Sequence, residues 1–138
     1  MNDDELNIIS GKILDSSIEV HRNLGAGLLE SIYQNCLCKE FSLRNIEFEK
    51  QVPVPVFYKG EYVSNDLRID LLVEKEVVIE LKAVEIIHPV HSAQLLSYLR
   101  IMNKRLGLLI NFNVPKLIDG FKRVINKTGS LCASASLR

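Results

Sequence analysis

Three charged side chains, Asp70, Glu80 and Lys82, have the types and the spacing for metal-dependent hydrolysis. They lie in two runs of alternating apolar residues, 67–73 and 77–83, which predict two β-strands joined by a tight turn. In this hairpin Asp70 lies opposite Glu80, and Lys82 projects from the same face. Two opposed carboxylates repel each other, and a divalent cation between them would make the arrangement favourable. A neighbouring lysine would complete a site that activates water against a phosphodiester.

The same pattern has a simpler interpretation, in which the charged face is only the solvated side of an antiparallel sheet. Two apolar residues on that face, Leu72 and Val78, argue against full solvation. The run 77–81 is also nearly continuous in apolar residues, which is typical of a strand covered on both faces. Charged groups in a covered strand require a partner, so we favour a functional site. We expect the odd-numbered residues of both strands to form the opposite, apolar face.

The remaining patterns predict the elements that position this hairpin. The predicted helices cover 5–23, 28–44 and 90–103, and the further strands cover 46–58 and 105–112, followed by a helical turn near 116–120 and an edge segment at 121–125. The order ααβββαβ predicts an α/β (α+β) fold, in which helices flank a mixed β-sheet and the last strand returns through a helical crossover. Pro53 and Pro55 cannot donate ladder hydrogen bonds, so they place their strand at a sheet edge.

A second cluster of polar residues lies on the predicted helix 90–103. His91, Gln94 and Tyr98 are spaced i, i+3 and i+7, and therefore share one face. This helix directly follows the strand that carries Glu80 and Lys82, so its N-terminal half is expected near the site. Taken alone, the three side chains are also compatible with an ordinary solvated helix edge.

Charge is distributed unevenly along a chain whose net charge is zero. Residues 1–99 carry a balance of −7, and residues 100–138 carry +7. The second segment supplies the candidate phosphate contacts, namely Lys104, Arg105, Lys116, Lys122 and Arg123. Pairing of this basic half with the acidic half inside the fold explains the distribution equally well.

Composition places the chain among ordinary globular domains, with 47% hydrophobic and 25% charged residues. No apolar run reaches the length of a membrane span, and the acidic N-terminus does not resemble a signal peptide. The three cysteines have no metal-site spacing, and we interpret them as free thiols, at least one of them in the core. We therefore expect a cytoplasmic protein with no membrane contact.

Three motifs of the chain resemble those of a known family of nucleases. Asp70 followed by Glu80-Leu81-Lys82 resembles the D…E-x-K signature of the PD-(D/E)XK nuclease superfamily. The segment 94–98 resembles the Q-x-x-x-Y helix of its RecB and lambda-exonuclease-like branch, and 27–33 is similar to the G-x-x-E-x-x-Y motif of the GxxExxY family. The resemblance covers residues 5 to 126 and implies a restriction-endonuclease-like core. Residues 127–138 match nothing, and we expect a loose C-terminal tail after a single domain, 1–126.

The resemblance also implies roles for individual residues. Asp70, Glu80 and the Leu81 carbonyl would bind Mg²⁺ or Mn²⁺, which prefer oxygen ligands. Glu30 would approach as an outer acid of the same site. Lys82 would orient or deprotonate the attacking water.

Further residues take supporting roles in this scheme. Gln94 and Tyr98 would position the substrate phosphate or the water network. His91, His21 and Tyr33 match family positions as accessory residues, and His21 is equally compatible with a structural role.

The function that these motifs imply is metal-dependent hydrolysis of DNA phosphodiester bonds. An alternative from another class is a nuclease-like module that binds nucleic acid or a protein partner and turns over weakly. RNA stays open as a substrate, although no RNA-binding motif is visible. The sequence decides neither between monomer and homodimer nor between exonuclease and endonuclease.

Overall fold

The computed structural model describes residues 1–127, and these residues form three α-helices and one five-stranded mixed sheet. The elements are α1 (Asp3–Leu24), α2 (Glu30–Leu43), β1 (Phe48–Tyr58), β2 (Glu61–Val73), β3 (Val77–Lys82), α3 (Pro89–Met102), β4 (Leu106–Asn111), a 3₁₀ turn (Leu117–Gly120) and β5 (Phe121–Ile125). The predicted α/β class and element order are confirmed, and the predicted edge segment is the fifth strand. The predicted tail lies outside the described residues, except for Lys127.

The sheet order is β1-β2-β3-β4-β5. Neighbouring strands are antiparallel except β3 and β4, which are parallel and are joined by the α3 crossover. The predicted place of the last crossover beside the central hairpin is therefore confirmed. β1 forms one edge of the sheet, as its two prolines predict.

Two hydrophobic clusters cover the two faces of the sheet. One joins the sheet to α1 and α2 and includes Tyr33, Phe41 and Cys38, and the other joins it to α3 through Leu95 and Leu99. The central strand β3 is buried along residues 77–81, because helices cover it from both sides. This arrangement confirms the prediction of a strand covered on both faces.

The expected single apolar face of the hairpin is only partly correct. Leu71 and Val73 face α1 and α2, but Leu67 and Ile69 pack in the α3 cluster. The side-chain alternation therefore reverses across Asp70. At the same level of the sheet, Gln51 of β1, opposite Asp70 in the register, has a φ of 51°.

Helix α1 has complete caps at both ends. Asn2 accepts the Glu5 amide hydrogen and Glu5 accepts that of Asn2, which forms a capping box. Gly25 ends the helix, as predicted, and its amide donates to the His21 carbonyl. Within residues 1–127, no helix combines the length and the apolar character needed to span a membrane.

Candidate active site

Asp70 and Glu80 lie where β2 and β3 separate. Ladder pairing joins residues 71–73 to 77–79 and stops there. Beyond it the two carboxylates bridge the opening: Glu80 Oε1 accepts the Asp70 amide at 3.1 Å, and Asp70 Oδ2 accepts the Leu81 amide at 2.7 Å. Each acid therefore binds the backbone of the opposite strand across the opening.

Glu80 is the most perturbed acid of the group. It is only 8% exposed, and burial raises its pKa to about 8. The charge of Asp70 raises this pKa further, whereas the Asp70 amide and Lys82 lower it. In the metal-free protein Glu80 is therefore mostly protonated at neutral pH. A cation that binds its ionised form would replace that proton.

Lys82 ends β3 on the same side. It pairs with Asn111 of β4, and its carbonyl accepts the Phe112 amide at 2.9 Å. Asn111 is buried and holds the next turn, because it accepts the Val84 amide at 3.1 Å and donates to the Val84 carbonyl at 2.9 Å. The backbone around the lysine is thus fixed, and its half-buried side chain lies within electrostatic reach of Glu30 and Glu80.

Glu30 enters the site from the first turn of α2. Burial raises the pKa of its carboxyl, and the nearby charge of Lys82 lowers it. Asp70 raises the pKa of Glu30 as well, so these charges lie within electrostatic reach of one another. The Glu30 residue as a whole is exposed. The fold therefore gathers Glu30, Asp70, Glu80 and Lys82 from three elements.

Helix α3 contributes a phenol and an imidazole. The pKa of Tyr98 is raised by burial and then by the charges of Glu80 and Asp70, so Tyr98 lies within electrostatic reach of both acids. The pKa of His91 is lowered by desolvation and by Lys82. His91 Nδ1 also accepts the His88 amide at 3.2 Å, so this residue caps its own helix. Gln94 is exposed on the turn between His91 and Tyr98.

Comparison with known families agrees with this arrangement of residues. A family model of the PD-(D/E)XK nuclease superfamily matches residues 7–124, which is most of the chain. The chain belongs to the PD-(D/E)XK nuclease superfamily. Its fold is consistent with the restriction-endonuclease-like core of that superfamily. No curated protein and no solved structure matches it.

Two glutamines that the sequence did not indicate lie beside the candidate site. Gln51 Nε2 lies 3.5 Å from Asp70 Oδ1 and donates to Gln34 Oε1 at 2.8 Å. Both line a cleft of about 380 Å³. Its lining residues are Glu30, Ser31, Gln34, Gln51, Asp70 and Leu81. A signal for Gln51 existed, since folding the predicted strand 46–58 onto β2 places it opposite Asp70.

Two predicted accessory residues support the PD-(D/E)XK site from behind. Tyr33 is fully buried and stacks on Phe112, with ring centroids 4.6 Å apart. Its hydroxyl donates to the Gly25 carbonyl at 2.6 Å and accepts the Leu28 amide at 3.1 Å. These bonds fix the loop that precedes Glu30. His21 has a structural contact too, because its Nε2 lies 2.8 Å from the Val114 carbonyl oxygen.

The predicted phosphate-contacting residues do not converge on the site of this nuclease-superfamily member. β4 pairs Leu106 with the start of β3 and Asn111 with its end, so Lys104 and Arg105 lie at the end of the sheet opposite Lys82. Arg105 forms a salt bridge with Asp3 at 2.9 Å.

The other basic residues are dispersed. Arg123 donates to Asn7 at 2.9 Å and to Ser10 at 3.3 Å, both on α1. Lys122 lines a separate cleft with Glu85 and Asp119. Lys116, which is exposed and follows β4, lies at the same end of the sheet as Lys82. Internal pairing therefore accounts for Arg105, and hydrogen bonds to α1 account for Arg123.

The donor set fits a hard divalent cation. Among residues 1–127, no group of three or more His, Cys, Asp or Glu side chains is arranged so that it could hold a metal ion. Mg²⁺ does not require one, because it keeps several waters and is commonly held by one or two carboxylates. Asp70 and Glu80 supply two carboxylates, the Leu81 carbonyl follows, and Glu30 lies across the cleft. Carboxylate and carbonyl oxygens favour Mg²⁺ or Mn²⁺ over softer ions.

Proposed function

We propose that this protein is a metal-dependent nuclease that hydrolyses DNA phosphodiester bonds, with residues 1–126 as its single catalytic domain. The observation that carries the proposal is the pair Asp70 and Glu80, held across the strand opening beside Lys82 in a member of a nuclease superfamily. A buried acid with a strongly raised pKa beside a second acid is costly for stability and typical of functional sites.

The proposed roles follow from the positions of the side chains. Asp70, Glu80 and the Leu81 carbonyl would hold Mg²⁺ or Mn²⁺, and Glu30 would act as the outer acid. When bound, such a cation supplies a Lewis acid and lowers the pKa of water. Lys82 orients the attacking water and offsets the charge of the phosphate.

The remaining contacts orient the substrate. The hydroxyl of Tyr98, a residue within electrostatic reach of both acids, would donate to a phosphate oxygen or to the attacking water. Gln94, exposed one turn earlier, would bind the next phosphate. His91 beside Lys82 is an accessory group for proton transfer.

We also assign the chain to the GxxExxY family in the RecB and lambda-exonuclease-like branch. Support comes from the contacts around Gly27, Glu30 and Tyr33, the three positions after which that family is named. Gly27 has a φ of 95°, Glu30 begins α2, and the Tyr33 hydroxyl ties the loop between them. We place the activity in the cytoplasm.

A nuclease screen tests the proposal. The protein is incubated with linear, circular, single-stranded and branched DNA, and with RNA, in Mg²⁺, in Mn²⁺ and in EDTA. We expect metal-dependent cleavage of DNA, abolished in Lys82→Ala and Asp70→Ala variants that melt like the wild type. Lys75→Ala, at the exposed turn of the same hairpin, is the matched control and retains activity. Equal cleavage by wild type and Lys82→Ala contradicts the mechanism, and binding without cleavage supports the alternative of a binding module.

A further inference from the structure

We propose that the outer part of the β1–β2 hairpin binds unpaired bases of a single-stranded DNA segment that leads into the active site, an inference that rests on the proposed function. This hairpin arm comprises residues 55–66. None of its residues is buried. The arm projects beyond the sheet because β3 pairs only with residues 71–73 of β2.

The hairpin arm is rich in exposed aromatic rings. Phe57 and Tyr62 are cross-strand partners with ring centroids 5.8 Å apart, and they are 63% and 55% exposed. Tyr58 is 64% exposed, and the Lys59 ammonium lies 5.4 Å from its ring centroid. The Phe57–Tyr62 pair contributes about 0.2–1 kcal/mol to the stability of the ribbon, and the exposed parts of the rings also offer a contact surface.

A second protein copy is a poor occupant of this surface. β1 is the sheet edge, but Pro53 and Pro55 lack the amide hydrogens that strand addition needs. The exposed parts of three rings amount to about 360 Å², less than half of the ~800 Å² that each partner of a stable interface buries. Nucleic acid bases, in contrast, stack on single aromatic rings with little regard to sequence.

The charge of the arm also indicates how it binds. Residues 55–66 contain one lysine, Lys59, and two acids, Glu61 and Asp66. Phosphate attraction is therefore weak here, and ring stacking supplies most of the affinity. We expect the contribution of the arm to DNA affinity to change little with salt, unlike that of a cationic groove.

The arm is continuous with the candidate active site. β2 leads from Tyr62 to Asp70 through two irregularities in its pairing with β1, a span of at most about 26 Å at roughly 3.3 Å per residue. At about 3.4 Å per stacked nucleotide, this distance matches about eight nucleotides. The open side of Asp70 and the end of β3 at Lys82 lie at the end of the sheet from which the arm projects. A strand stacked on the rings would therefore reach the acids.

Binding in EDTA tests the arm without requiring turnover. Fluorescein-labelled dT12, rU12 and a 12-base-pair duplex are titrated with the full chain and followed by anisotropy. We expect dT12 to bind more tightly than the duplex, and the Phe57→Ala/Tyr62→Ala double variant to lose at least tenfold in dT12 affinity. Equal binding of rU12 and dT12 would overturn the restriction to DNA.

Matched variants distinguish stacking from a structural effect. Phe57→Tyr/Tyr62→Phe keeps both rings and should retain dT12 affinity. Ile8→Ala removes an apolar side chain of similar exposure, 60%, on α1 and should change nothing. If the alanine double variant binds dT12 like the wild type, or if the wild type binds no oligonucleotide at micromolar concentration, the inference is overturned. The alanine double variant could also lose a dimer that the wild type forms in sedimentation, with its oligonucleotide affinity unchanged. That result would make the arm a self-association surface and overturn the inference.

Photocrosslinking separates this inference from the proposed function. Oligonucleotides carrying one 5-iodouracil should crosslink to Tyr62 or Phe57 in wild type and in the cleavage-deficient Lys82→Ala variant alike. Crosslinks confined to other elements contradict the arm. An absence of cleavage by wild type, together with arm-dependent binding, removes the nuclease proposal and leaves the arm intact.

Discussion

The amide of Asp70 donates to the carboxyl group of Glu80 at 3.1 Å, one residue beyond the last ladder pair of their strands. Asp70 in turn accepts the amide of Leu81 at 2.7 Å. Side-chain oxygens thus replace carbonyl oxygens as acceptors for two strand amides, and both acids are fixed before any ligand binds. Preorganisation of this kind brings two mutually repelling acids together.

The pH dependence of stability follows from Glu80. Its pKa in the folded, metal-free protein is about 8, far above the ordinary glutamate value that applies in the unfolded chain. The folded state therefore holds a proton that the unfolded state releases, so the free energy of unfolding falls as pH rises from about 5 to about 8. Urea unfolding in EDTA at pH 5, 7 and 9 measures the slope.

Glu80→Gln should flatten this slope and leave the protein more stable than wild type at pH 9, because the amide never ionises. Glu49→Gln, an exposed glutamate of β1, is the matched control and should keep the wild-type slope. A wild-type stability that is constant between pH 5 and 8 would show that Glu80 is not held protonated.

Metal binding should offset the stability that the protein loses when Glu80 ionises. At about 100 times its dissociation constant, Mg²⁺ or Mn²⁺ should add about 2.7 kcal/mol to the stability of the wild type. Asp70→Asn should lose most of that gain because its amide oxygen carries no formal charge, while its metal-free stability stays equal or rises. Thermal melts in EDTA, Mg²⁺ and Mn²⁺ compare the two proteins. Equal metal-dependent gains in both would exclude Asp70 as a ligand.

Gln51 offers a test of strain at the site. Its φ of 51° costs a residue with a side chain of the order of 1–3 kcal/mol. Gln51→Gly relieves that strain, at an entropic cost of about 0.5–1 kcal/mol. The same change removes the amide that lies 3.5 Å from Asp70 Oδ1. We expect a protein as stable as wild type or more so, with weaker Mn²⁺ affinity by calorimetry and slower cleavage.

Gln51→Asn is the control for this variant, since asparagine tolerates the same backbone conformation but is too short to reach Asp70. It should share the functional loss without the gain in stability. A Gln51→Gly protein that is markedly less stable than wild type would show that the backbone strain was misjudged.

Tyr33 connects the hydrophobic core to Glu30. Tyr33→Phe keeps the ring stack on Phe112 but leaves the Gly25 carbonyl and the Leu28 amide without their hydroxyl partner. We expect the free energy of unfolding to fall by about 0.5–1.5 kcal/mol. We also expect slower cleavage, because the loop that precedes Glu30 loosens. Ser42→Ala removes an exposed hydroxyl of α2 as the control. Cleavage unchanged in Tyr33→Phe would mean that the loop does not position Glu30.

The sequence predicted the framework of this site because two periodicities determine it. Alternation placed Asp70 opposite Glu80, and helical spacing placed His91, Gln94 and Tyr98 on one face. Both rules are local, so a single chain reveals them. The fold class followed from the order of elements.

Features that depend on tertiary contact were not predictable in the same way. The reversal of faces at Asp70 lies opposite a positive φ at Gln51, and glutamine carries no sequence signal for that conformation. The hydrogen bond between Gln51 and Gln34 joins two residues that are 17 positions apart in the chain. Net charge along the chain likewise does not reveal where basic side chains lie, because strand order places Lys104 and Arg105 away from Lys82.

The basic half provides the last prediction. Arg105 directly precedes β4 at its far end, about 20 Å from the level of Lys82 at roughly 3.3 Å per residue, and it pairs with Asp3. Neutralising it as Arg105→Gln should therefore leave the slope of log affinity for DNA against log salt unchanged, since no phosphate contact is lost. Lys116→Gln, at the same end of the sheet as Lys82, should flatten that slope by about 0.7–0.9 if it contacts one phosphate. Titrations of dT12 in EDTA from 50 to 200 mM salt, in the same assay for both variants, give the slopes. A slope that is flatter for Arg105→Gln and unchanged for Lys116→Gln would place the DNA at the opposite end of the sheet, away from the acids.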